Sequence, residues 1–157
     1  MSYAFNREWL LHKFDEIRRR LLLAIEQLDD EQLNWQPEEL SHSISVLIKH
    51  IDGNIAERIG NGILQQGIER DRAAELGKSF VTKGELLDMV QAGFQLIIDT
   101  IRNGSDEQLE MTQQVRSRER TNLDMLHQCA AHYSEHMGQI FYIAKLCLKD
   151  KYKSTSV

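Results

Sequence analysis

The sequence predicts an all-α fold, a four-helix bundle forming a single domain over residues 1–157, and three observations carry that reading. One proline and nine glycines in 157 residues leave few places where a long element must break, whereas a protein of many short strands needs a turn residue at each reversal. Four long stretches repeat their apolar residues at steps of three and four, the period of a buried helical face. The length fits one domain, and 41% hydrophobic with 27% charged residues suits a chain that buries a core rather than one that stays disordered.

The first helix is expected over residues 3–28, with Leu10, Phe14, Ile17, Leu21, Ala24 and Leu28 on one face. Asp29-Asp30 closes it, and Asn34-Trp35-Gln36-Pro37 reads as a connection, because proline disfavours helix at the residue before it and donates no amide proton. The second helix starts at Ile44 with Ser43 as N-cap and runs to about Gln65 on the stripe Ile44, Leu47, Ile51, Ile55, Ile59 and Ile63. Residues 67–81 mix charges with Gly67 and Gly77 at no clear period and read as a surface loop. Thr82 with Glu85 forms a capping box for the third helix, whose stripe is Leu86, Val90, Phe94, Ile97 and Ile101 and which ends near Asn103-Gly104. A polar stretch with Arg116, Arg118 and Arg120 follows. The last helix, from about Asn122 to Lys149, has a wide apolar arc, so it is expected to be mostly buried and to offer a homodimer interface. Asp30-Glu31-Gln32-Leu33 recurs as Asp106-Glu107-Gln108-Leu109, each between two long helices, which suggests two helical hairpins of related design.

Several function classes are disfavoured at once. With 19 basic and 24 acidic residues the formal net charge is −5, which supplies no overall field for nucleic acid. The longest apolar run, Leu21–Ile25, falls far short of the ~20 residues that span a membrane. Cys129 and Cys147 are too few for a disulfide scaffold and lack zinc-ribbon spacing. The polar N-terminus has no signal-peptide core, and a cytoplasmic location is expected. Arg18-Arg19-Arg20 reads as a solvated helix face.

The histidines carry the chemistry. His132 and His136 lie four residues apart on the last helix, so their rings leave one face about 40° apart, the spacing a helix uses to give two imidazoles to one metal. A third ligand must come from elsewhere. His50, beside the Leu47/Ile51 stripe of the second helix, is the best placed. His127 is rotated by about 140° from His132 and about 180° from His136 and faces away, while His12 and His42 suit surface or capping roles. Cys129, about 60° from His132, is an alternative thiolate ligand, or simply a small core residue. Two bland readings stand beside the metal site: a chance pair at this spacing, and histidines that are merely hydrogen-bonded in the core. His132-Tyr133-Ser134-Glu135-His136 also matches a short zinc-peptidase signature with Glu135 as base. Such enzymes need a downstream acidic ligand, and after His136 the chain has no glutamate and one aspartate, Asp150.

His132-Tyr-Ser-Glu-His136-Met-Gly138-Gln139-Ile140 resembles the His-x-x-x-His-x-Gly-Gln segment on the last helix of DinB-like (YfiT-like) proteins. Leu47-Ile48-Lys49-His50-Ile51 and the linker Asp30 to Pro37 resemble two further segments of that family, in the same order, and the likeness spans roughly residues 3–148. The resemblance implies a DinB-like four-helix bundle, commonly a homodimer, holding a divalent metal on His50, His132 and His136. It also implies an activity in which the metal activates a low-molecular-weight thiol, as a transferase or isomerase, although many members have no assigned reaction and this chain is closest to that uncharacterised branch.

The residues agree with that chemistry. Three neutral imidazoles leave a metal open positions for water or a thiolate, whose deprotonation near neutral pH makes a nucleophile, and zinc or nickel suits the ligands equally. Gln139 and Asn54 are candidates either to orient a ligand or to bond within the bundle. The arginines at 116–120 could meet an anionic substrate if their loop folds over the bundle mouth. The functional expectations are a metal-dependent thiol transferase or small-molecule hydrolase, a non-catalytic metal-binding or stress-associated protein, and a purely structural dimerisation module whose histidines are satisfied within the core.

Overall fold

The computed structural model describes residues 2–77 and 79–156; Lys78, inside the expected loop, and the terminal Met1 and Val157 lie outside them. Helix α1 covers Ala4–Glu26. A short helix α2, Asp30–Asn34, follows at once, capped reciprocally by Asp29 and Gln32. Helix α3, Ile44–Ile55, starts where the Ser43 hydroxyl accepts the Val46 amide, at 3.1 Å. It continues as a π-helical segment, Ala56–Asn61. Helix α4, Arg72–Glu75, lies in the expected loop. Helix α5, Lys83–Asn103, has the Thr82/Glu85 capping box, and α6, Asp106–Glu110, is capped by Ser105. Strands β1, Thr112–Val115, and β2, Arg118–Thr121, form an antiparallel hairpin. Helix α7, Asn122–Leu148, is capped by Thr121.

The four long helices pair as α1 with α5 and α7, and α3 with the same two. The first and second long helices, α1 and α3, therefore stand across one bundle diagonal and the third and fourth, α5 and α7, across the other, which replaces the expected pair of helical hairpins. The sequence echo is nevertheless structural: each copy is a short capped helix after a long one, and Leu33 and Leu109 both insert into the core. At the bundle centre the rings of Phe14, Phe94 and Tyr133 meet with centroids 5.9–6.4 Å apart, and all three are fully buried. Such aromatic contacts stabilise a core beyond their buried area. The Tyr133 hydroxyl donates to Asn54 Oδ1, at 2.8 Å, which ties α7 to α3 one residue from His132.

Residues 112–121 form a hairpin where a polar connection was expected. Each strand is four residues long and without apolar alternation, so the period-two signal of a strand is absent. Its anchor is polar. In the π segment Gly62 N and Leu64 N donate five residues back, to Glu57 and Ile59, at 2.9 Å each. The side chain of buried Gln113 donates to the Arg58 carbonyl at 3.1 Å and to Asn122 Oδ1 at 3.0 Å, and Asn122 donates to the Gln108 carbonyl at 2.7 Å. A Cβ at Gly62 would collide with the Gln113 amide and the Arg58 carbonyl, so glycine is required where hairpin and helix meet. Short π segments occur often at functional sites, and this one carries Arg58 beside the cleft described below.

The arginine triplet on α1 is less bland than a solvated face. Arg18 donates to Gln95 and Asp15, and Arg20 donates to Thr155 and Ser156 while lying 4.8 Å from the centre of the Phe141 ring, so it pins the C-terminal tail. Arg19 is exposed. No helix among the described residues is long and apolar enough to cross a membrane.

Candidate metal centre

His50 comes from α3 and His132 and His136 from α7, and one ring nitrogen of each lies within 4.8 Å of the others. The sequence-predicted trio is thus brought together by two helices that pack side by side. Nε2 of His132 and Nε2 of His136 are 2.9 Å apart. His136 Nδ1 is 2.8 Å from Gln139 Oε1, and since an amide oxygen only accepts, Nδ1 carries the proton and Nε2 presents a lone pair toward His132. Two facing lone pairs at that separation repel, so the pair requires a proton on His132 Nε2 or a cation shared between the rings.

All three rings are half-buried. Burial, reinforced by the neighbouring His136 and His132, lowers the pKa of His50 to about 4, against the opposing pull of Glu75. Burial and then His136 lower that of His132. Both imidazoles are therefore neutral at pH 7 and have lone pairs to give, as metal ligation requires. A set of three imidazole donors fits a divalent cation.

One component was not anticipated. Glu75, at the end of α4, sets Oε1 3.6 Å from His50 Nδ1. Its carboxylate accepts two hydrogen bonds from Arg70, Nε to Oε2 at 2.7 Å and Nη2 to Oε1 at 2.9 Å, and the Arg70 side chain is only 6% exposed. A Cβ at Gly53 would collide with that carboxylate, so the glycine one turn after His50 lets α4 lie against α3. Glu75 thereby lies beside His50 Nδ1 and favours a proton there, which leaves Nε2 as the nitrogen with a lone pair to give. The loop containing it has no apolar period. Only the opposite charges of Arg70 and Glu75 and the Asp71 cap of α4, which accepts from Ala74 N at 3.0 Å, hinted at order there.

The competitors fall away. Cys129 is 2% exposed and burial pushes its thiol up to about 11, so it is a core thiol. His127 stacks on Trp9 at 5.5 Å and bonds Asn6; His12 and His42 are exposed. Glu135 and Asp150 are exposed as well, and the peptidase reading has neither its base nor its ligand in the cluster. Asn54 is occupied by Tyr133. Gln139 is the one of the two amides that meets a histidine.

A cleft of about 530 Å³ opens beside the cluster, between the end of α3, the β-hairpin and the start of α7. His132 lines it, together with Arg58, Arg116, Arg118 and Arg120. The hairpin does fold over the bundle mouth.

Over residues 5–157 the chain matches the family described as a protein of unknown function, DUF1572. It belongs to that family. Among solved structures, this DUF1572 protein resembles the DinB-like protein YjoA of Bacillus subtilis, with a TM-score of 0.67 at 17% identity over 88% of this chain and 92% of that one. A conserved protein from Enterococcus faecalis superposes with a TM-score of 0.74 at 18% identity, covering 88% and 95% of the two chains. A DinB-like protein from Bacillus cereus gives 0.71 at 15% identity, covering 89% and 91%. The DinB-like fold is therefore shown. No curated protein matches the chain.

Proposed function

We propose that this DUF1572 protein is a divalent-metal-dependent enzyme in which His50, His132 and His136 hold the metal, acting on a small molecule through a low-molecular-weight thiol or water as nucleophile. The observation that supports it most is the convergence of three half-buried histidines, two of them with lowered pKa values, each flanked by a group suited to orient it or by its partner ring. What zinc or nickel supplies there when bound is Lewis acidity, which makes a nucleophile of water or a thiol near neutral pH. The chain's own residues do the rest. Gln139 fixes the His136 tautomer, Glu75 favours the His50 proton on Nδ1, and Tyr133 with Asn54 holds α7 against α3 so that the rings stay in register. The whole of residues 1–157 acts as one domain, in the cytoplasm.

One observation favours a second reading, a non-catalytic, metal-binding or stress-associated dimer: the carboxylate beside His50, Glu75, is engaged by Arg70, and no acid joins the three histidines in the cluster among the described residues. A homodimer is proposed on the patch of Trp35, Leu40, Tyr142 and Leu146, which stay exposed although the rest of the α7 arc is used within the chain. A mass independent of dilution and equal to one chain would refute the dimer. Thiol-dependent turnover of a reactive electrophile, abolished by chelation and restored by zinc or nickel, tests the enzyme reading; turnover unaffected by chelation contradicts it.

A further inference from the structure

We propose that the arginine-lined cleft is an oxyanion subsite, holding a carboxylate or phosphate group of a small molecule whose other end reaches the histidine cluster. The inference deepens the reading of that cluster as the reacting end of the cleft and rests on it.

The charges around the cleft are lopsided. Four arginines and, among the described residues, no acidic one line it, in a protein whose net charge is −5. One of the four, Arg120, is paired with Asp124 at 2.7 Å, while the other nearby carboxylates have partners outside the cleft: Glu119 accepts from the Thr112 hydroxyl at 2.8 Å, and Glu57 lies 3.8 Å from Arg70. Arg58, Arg116 and Arg118 make no ion pair among the described residues. Three unpaired guanidinium groups facing one concavity repel one another, and an anion relieves that cost while accepting charge-assisted hydrogen bonds in the fork geometry arginine offers.

The backbone adds an independent argument. Val115 pairs with Arg118, so Arg116-Ser117 is a two-residue hairpin loop, and Arg116 has φ 57°. Positive φ at the first loop position is where glycine or asparagine is the unstrained choice. An arginine there, over a cleft, is strain retained at a site where its side chain has a use. The Gln113–Arg58 anchor fixes the distance between the hairpin and the π-helical segment, so the arginines from the two elements face a common space. A cleft of about 530 Å³ is of the size that takes a small metabolite.

The test uses metal-free protein, so that the subsite is read apart from the metal. Succinate, inorganic phosphate and succinamide, the uncharged isostere of succinate, are titrated while backbone amide resonances are followed. Expected is saturable binding of the two anions, shifts centred on Arg58 and on residues 115–118, no saturable shift with succinamide, and weakening with ionic strength. Arg58→Gln and Arg118→Gln should each weaken binding at least about fivefold, the loss of one charge-assisted contact in a partly hydrated site, with Arg19→Gln as an unaffected control. Tighter binding of phosphate assigns a phosphoester ligand, and tighter binding of succinate a carboxylate. Equal shifts with succinamide, no saturation, or binding unchanged in both cleft variants would overturn the subsite. Metal content of the wild type and His132→Ala, measured in parallel, decides the histidine reading separately.

Discussion

Replacing Glu75 by glutamine separates what this carboxylate does for stability from what it does for the metal centre. The substitution keeps the shape that packs on Gly53 and removes the charge that Arg70 and His50 face. Arg70 then stands with its side chain 6% exposed and its double hydrogen bond spoiled. Breaking a buried pair from one side costs about 3–5 kcal/mol. The second carboxylate near Arg70, Glu57, lies 3.8 Å away and is 39% exposed, and it offsets part of this, so a loss of about 2–3 kcal/mol is expected. Loss of a partner that orients a ligand histidine costs about 10–100-fold in metal affinity. Denaturant unfolding of the metal-free protein reads the first quantity, and competition for zinc against a chromophoric chelator reads the second. In Arg70→Met/Glu75→Met, where apolar side chains replace both ions, stability should largely return while affinity stays low. Metal affinity within about twofold of wild type in the folded Glu75→Gln protein, or affinity restored along with stability in the double variant, would refute the assignment of Glu75 to His50.

Three further outcomes are expected. Arg116→Gly relieves positive φ and should raise stability by about 1 kcal/mol in thermal unfolding, while weakening succinate or phosphate binding. Gly62→Ala forces the Gln113 amide off the Arg58 carbonyl and should cost about 1–3 kcal/mol, with the loss of amide protection at the hairpin in hydrogen exchange. The metal-free protein should lose stability on acidification. His50 titrates at about 4 folded against an ordinary 6.5, so above pH 6.5 the ring is neutral in both states, and below it the unfolded chain takes up a proton that the folded one refuses. The loss grows from about pH 6.5 to about 4 and then levels off, and His50→Asn should flatten it in a pH series of melting temperatures.

What the sequence made legible follows from which forces leave a periodic trace. The stripes of α1, α3, α5 and α7 are written by burial, and every residue of the expected α1 and α5 stripes is buried. Ser43 and Thr82 were readable because a cap is a local contract between neighbours. His132 and His136 share one helical face, and the spacing alone brought them together; His50 needed the third dimension, and its place beside a buried stripe was the usable clue. Glu75 left almost no trace, since its partners are Arg70 within a loop and His50 on another helix. The hairpin escaped because its register is held by Gln113 and Asn122, polar groups whose pairing has no period. The diagonal placement of α1 against α3 and of α5 against α7 depends on how α2, α6 and the hairpin cross the bundle ends, which hydrophobic spacing does not encode.

Elemental analysis of the untagged protein beside His132→Ala, after incubation with zinc or nickel and removal of loosely held ions, tests the central claim most directly. The wild type should retain about one divalent metal per chain, one ion for three imidazoles, and the folded variant little or none. No retained metal in the wild type, or equal retention in the two proteins, would contradict it.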